Sequence, residues 1–279
     1  MKLLSHGVQT ESMAVARSKL DDALAIAADP ASRSLPAGLV GRVELQRASM
    51  AGSDGNRSAF DQVSAIIPQG TTALVEAEDP WAVRAFFDGL TGQRRPTAGQ
   101  ILVDGRLAIE RVGQHGSDGI VALETAPAIF NGTLLENLAA FGDPEQVERA
   151  KYFAERLGLA ARIHRLPMGY NTQLAQGSTF ERNATNRQLI ALTRVLAIRP
   201  RILLMNEPTA VLDTPERQAL SDCLKSLDPQ PTILIASPDP RMQRLASTKV
   251  NLSSPAVAEW DRDAAADKAE ALFLERGAA

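Results

Sequence analysis

Two apolar runs, RILLM at 201–205 and TILIA at 232–236, flank the segment TPERQALSDCLKSL at 214–227, whose apolar residues recur at helical spacing. Runs of five bounded by polar turns are strand-length. Their near-continuous apolar character means that both faces of each strand are covered. Strand, helix and strand in that order make a parallel βαβ unit. Such a unit needs further layers on both faces. A chain of 279 residues with a 44% hydrophobic fraction has the material for them. The first run ends in the polar turn of NEPTAVLD, which carries Asn206, Glu207 and Asp213.

Other segments supply those layers. TESMAVARSKLDDALAIAA (10–28) has helical periodicity and is followed by a Pro/Ser/Gly linker, DPASRSLPAG. GRVELQRASM alternates as a strand does, AGSDGNRS is a turn-rich loop, and QVSAIIPQGTTALVEA gives two strands around Pro-Gln-Gly. Residues 80–91 read as a helix and GQILVDGRLA as a strand and hairpin. The pattern then turns helical in TLLENLAAF, PEQVERAKYFAERLGL and RNATNRQLIALTRVLAI. DRDAAADKAEALFLERG reads as a short amphipathic C-terminal helix. The expected organisation is an N-terminal helix and linker at 1–40, a main domain at 41–258 with a helical subdomain at about 126–190, and a terminal helix at 259–279.

Composition excludes several classes. A net charge of -3 and a pI near 5.7 give no electrostatic footprint for nucleic acid. Cys223 is the one cysteine, so no internal disulfide forms, and its helical setting marks it as a small buried apolar group. His6, His115 and His164 lack metal-ligand spacing, so no metal is expected. No stretch reaches the roughly 18 apolar residues of a membrane helix. MKLLSHGVQTESM has no sustained apolar core and does not read as a signal peptide. The expected location is cytoplasmic, with any contact at the inner face of a membrane made through a partner.

The order and wording of the segments resemble the nucleotide-binding domain of an ABC transporter of the exporter type. RPTAGQILVDGR (95–106) resembles the stretch after the P-loop helix, and IFNGTLLENLAAFGD (129–143) the segment after the Q-loop. LPMGYNTQLAQG (166–177) resembles the run into the ABC signature. RQLIALTRVLAIRPRILLMNEPTAVLD (187–213) resembles the signature helix, Walker B strand and D-loop. The resemblance covers roughly residues 15–258. It implies a P-loop NTPase-like α/β fold with a mixed or parallel core sheet, an antiparallel β subdomain and an α-helical subdomain. Members bind ATP between two such domains, the Walker A loop of one facing the signature of the other.

Residue by residue, the chain departs from that pattern. A P-loop needs glycines to turn amides toward phosphate, a lysine to neutralise it and Ser/Thr for magnesium. ALVEAEDPWAVRAFFDGL (73–90) has no glycine in the loop, no lysine and no Ser/Thr at the helix start. It carries instead Glu76, Glu78 and Asp79, which are expected to repel a triphosphate. Two like charges about 4 Å apart cost about 1 kcal/mol in water and about 4 kcal/mol at an effective dielectric of 20. Asp79 followed by Pro80 also forms a good N-cap and first-turn pair, so the helix is expected to cap itself. By the resemblance, Thr125 stands at the Q-loop glutamine, and Arg182, Asn183, Ala184 and Thr185 stand at the signature. Asn206 falls at the Walker B aspartate and Ser237 at the switch histidine. The adenine-stacking aromatic would fall near 50–52, where no ring exists. Glu207 keeps the general-base position and Asp213 the D-loop position. Without its companions Glu207 is expected to cap a helix or hold a hydrogen bond, while Asn183 offers one hydrogen bond to a partner's ATP.

The leading expectation is a catalytically inactive, non-hydrolytic partner or scaffold of an ABC export system. It binds no cofactor and pairs with another ABC ATPase domain or a transmembrane subunit. The alternative is a divergent ATPase that uses ATP and magnesium with Glu207 as base. A third is a relic of a split half-transporter.

Overall fold

The computed structural model describes residues 39–253 except 54–56, 112–118, 124–125 and 175–178. The helices expected at 10–28 and 259–279 lie outside the described residues, as does Thr125.

The strands are β1 (Val43–Ala51), β2 (Ser58–Ile67), β3 (Thr72–Glu76), β4 (Ala98–Val103), β5 (Arg106–Leu107), β6 (Ile120–Leu123), β7 (Gly132–Thr133), β8 (Gln173–Leu174), β9 (Ile202–Asn206), β10 (Thr232–Ala236) and β11 (Thr248–Asn251). The helices are α1 (Pro80–Leu90), α2 (Leu134–Leu138), α3 (Pro144–Arg156), α4 (Leu159–Ile163), α5 (Thr179–Arg182), α6 (Ala184–Ile198), α7 (Thr214–Lys225) and α8 (Pro240–Gln243). An antiparallel sheet has the order β2-β1-β4-β5, and a five-stranded sheet the order β11-β3-β10-β9-β6. Every described pairing in the second sheet is parallel. The βαβ unit read from the sequence is β9-α7-β10, and its two strands are direct neighbours.

The apolar runs divide residue by residue between two cores. Leu203, Met205, Ile233 and Ile235 join α6 and α7 on one face of the sheet. Ile202, Leu204, Leu234 and Ala236 join β1, β2 and α1 on the other, around Phe86 and Leu90. Alternation within an all-apolar strand thus feeds two layers at once. Cys223 is fully buried in the first core, as its helical setting predicts.

The structure corrects several boundaries. The helix expected through TLLENLAAF ends at Leu138, because Ala140 and Phe141 adopt φ of 49° and 56°. The long helix expected from Pro144 breaks at Gly158, whose φ of 78° separates α3 from α4. Strands β6 and β11 carry no strand signal in the sequence: one is four residues long, and the other, TKVN, is a mostly polar edge strand. No helix among the described residues is long and apolar enough to cross a membrane.

Candidate functional site

The carboxyl ends of three neighbouring parallel strands gather the candidate residues. In the register, Ala236 pairs with Asn206 and Ile235 with Leu74, which brings Glu76, Glu207 and Ser237 to one sheet edge. Open α/β sheets bind ligands outside that edge.

At the end of β3 the loop closes on itself. Asp79 is extended (φ -97°, ψ 119°), and its carboxylate accepts from Trp81 N at 2.9 Å. Pro80 occupies the first turn, where no amide donor is needed. The Glu78 amide donates to Ser253 Oγ at 2.6 Å, and the Leu252 amide donates to the Glu76 carbonyl at 2.8 Å. Lys249 Nζ lies 2.9 Å from Glu76 Oε1. The uniform repulsion expected of this loop therefore needs correcting: β11 supplies a cation to one of the three carboxylates. Glu78 and Asp79 remain exposed, while Ala82 and Val83 are buried in the first turns of α1. Trp81 is half-buried, with the Arg94 and Arg84 guanidiniums 5.1 and 5.7 Å from its ring centre.

After β9, Asn206 is half-buried and Glu207 is exposed with a φ of 47°. The Glu207 amide donates to Ala236 O at 2.8 Å, and its carbonyl accepts from the Ala210 amide at 3.1 Å. Its carboxylate has no hydrogen bond among the described residues, so the capping or bonding side chain expected here is not found. Capping falls to Asp213, whose carboxylate accepts from Glu216 N at 2.9 Å while Glu216 Oε2 accepts from Asp213 N at 3.0 Å. After β10, Ser237 Oγ accepts from Asp239 N at 3.1 Å. Asp239 is 4% exposed, caps α8 through Arg241 N and lies 3.6 Å from Arg217 Nη1. Sequence reasoning missed Asp239, although its Asp-Pro pair repeats the signal at 79–80.

At the start of α6, Asn183 is the N-cap: its Oδ1 accepts from Asn186 N at 3.0 Å. The acceptor expected to face a partner's nucleotide is thus engaged by its own helix. Arg182 and Ala184 are exposed, whereas Thr185 is half-buried and its Oγ1 donates to Val211 O at 2.9 Å. Gln188 Nε2 donates to Pro208 O at 3.0 Å. Met50, where an adenine-stacking ring would lie, is a fully buried core residue. A groove of about 690 Å³ exists elsewhere, lined among others by Arg149, Tyr152, Leu196, Arg199 and Pro229; none of the candidate residues lines it. The described residues contain no group of three or more metal-ligating side chains.

The model of the ABC transporter family matches residues 85–210. Among curated proteins, ABC transporter B family member 13 of Arabidopsis thaliana is 26% identical over 201 residues, covering 71% of this chain and 16% of its own. ABC multidrug transporter MDR2 of Trichophyton tonsurans is 28% identical over 184 residues, covering 64% of this chain and 13% of its own. Residues 85–210 are thus similar to the ABC transporter family. A bacterial Atm1-family ABC exporter solved with ATP bound shares this fold, with a TM-score of 0.68 and 21% identity over 81% of this chain and 40% of that one. The chain thus spans 16% and 13% of the length of these two curated relatives. Asn206, Glu207 and Ser237 sit at the strand ends of this fold, and the helical layer carries the 182–185 segment.

Proposed function

We propose that this ABC domain is a non-hydrolytic partner or scaffold subunit of an ABC export system. The observation that carries this reading is the self-closed loop at 76–81. Its Glu78 amide is taken by Ser253 and the Trp81 amide by Asp79, and Glu78 and Asp79 keep exposed carboxylates there. A phosphate would have to displace these bonds and approach uncompensated negative charge, with no lysine in the loop to draw it. Asn206 is neutral and supplies no charge for a magnesium ion. The domain then works without nucleotide or metal, pairing with another ABC ATPase domain or a transmembrane subunit at the inner face of a membrane. The exposed rings of Phe130 and Phe141, 6.3 Å apart, support a protein partner.

A titration of the protein with Mg-ATP, followed by calorimetry and thermal melting beside a magnesium-free control, tests this reading. The expected result is no heat and no stabilisation at millimolar nucleotide. A ligand at 100 times its Kd would stabilise the fold by about 2.7 kcal/mol, so micromolar binding would be plain and would overturn the reading. One feature favours the alternative, a divergent ATPase using ATP and magnesium: the Glu207 carboxylate is exposed and unengaged among the described residues. Magnesium-dependent phosphate release that disappears in Glu207→Gln would establish it.

A further inference from the structure

We propose that Arg162 is a positioning residue that braces the start of α6 and the 207–213 loop into one rigid face before any ligand arrives. The proposal goes beyond the preceding reading, since it holds whether or not nucleotide turns over there. Arg162 lies in the last turn of α4 and belongs to neither segment. Its Nη1 donates to Asn186 Oδ1 at 2.9 Å, and its Nη2 pairs with Glu216 Oε1. Asn186 in turn donates its amide to the Asn183 cap, and Glu216 closes the Asp213 capping box. A continuous chain of polar contacts therefore runs Asn183, Asn186, Arg162, Glu216, Asp213. One planar guanidinium serves both ends of it, which a lysine ammonium does not reproduce.

Two direct ties already join the segments, Thr185 to Val211 and Gln188 to Pro208. Arg162 adds a further, indirect connection between them through Asn186 and Glu216. Glu216 is 7% exposed, so its carboxylate sits where an ion pair is shielded from solvent. Arg217 extends the brace: its Nε donates to Leu212 O at 2.8 Å, and its Nη1 reaches buried Asp239 beyond β10. Three loops far apart in sequence thus share two arginines.

The test is amide hydrogen exchange on the full chain. Arg162→Met removes the fork and leaves Glu216 buried and unpaired, which lowers the thermal midpoint. The double variant Arg162→Met/Glu216→Gln removes that orphan charge and keeps the capping box, which glutamine also closes. The expected result is that the double variant recovers most of the thermal midpoint, while exchange in 183–188 and 207–213 stays at least about tenfold faster than in the parent. Arg162→Lys, which keeps the charge and loses the fork, should loosen the same two segments in a folded protein. Leu157→Ala, a core truncation outside the brace, should speed exchange without favouring them. Restoration of both midpoint and loop protection in the double variant would overturn the proposal. So would loosening confined to one segment.

Discussion

At Asp79 a single carboxylate holds the first free amide of α1, and the cost of removing it is predictable. Asp79→Ala should destabilise the domain by about 1 kcal/mol. That corresponds to a fall of about 2–4 °C in thermal midpoint at this size, and Asp79→Asn should fall much less. A second cap reports through pH. The Thr133 backbone amide and hydroxyl both donate to Glu136 and hold its carboxyl below the usual carboxylate range. A depressed carboxyl contributes stability above its unfolded pKa and loses it as pH falls through the folded value. The Glu136 carboxyl resonance should therefore titrate below that of a glutamate without such donors, and Thr133→Ala, which removes the hydroxyl and keeps the larger backbone contribution, should move it only part of the way back up. Cys223 is shifted the other way: burial pushes its thiol up, so an alkylating reagent should label it only on unfolding. These groups were legible to different degrees. The Asp-Pro pair announced Asp79, whereas Lys249, which neutralises Glu76, sits in a polar tetrapeptide with no periodic signal.

Elements were legible where periodicity was long and failed where one backbone torsion decided the outcome. The helices of α6 and α7 and the strands of β9 and β10 follow from apolar spacing alone. The end of α2 does not, because left-handed torsions at Ala140 and Phe141 leave no mark in hydrophobic pattern. Strand β6 was hidden by its brevity and β11 by its polarity; both lie at the edges of the core sheet, where pairing with one neighbour defines them. The three-sided fit of the candidate face was also invisible, since Arg162 and Glu216 meet across 54 residues. Close approach between strands gives a test at this scale. Gly99 in β4 has a φ of 66°, and a Cβ there would lie 2.0 Å from the Arg47 carbonyl oxygen. Gly99→Ala should cost about 2–4 kcal/mol in urea unfolding, with the m-value unchanged if the register of β1 and β4 survives.

Across the whole molecule, Thr232 joins parts that no single element spans. Its buried hydroxyl donates to Gly41 O at 2.7 Å and accepts from Gly70 N at 2.9 Å, linking the approach to β1, the β2–β3 turn and the start of β10. Thr232→Val keeps the shape and leaves both backbone groups unsatisfied, so chemical denaturation should show a loss of about 2–4 kcal/mol. Thr232→Ser should recover most of it. The same long-range wiring has a consequence for how the chain is made. Strand β3 has β10 and β11 as its two neighbours, and the loop that follows it is stapled by Ser253, 175 residues further along. At about 5–20 residues per second, a ribosome needs on the order of 10–35 s to deliver those partners. Throughout that interval the strand TALVE has neither of its sheet neighbours, and its backbone groups stay open to pairing with other strands.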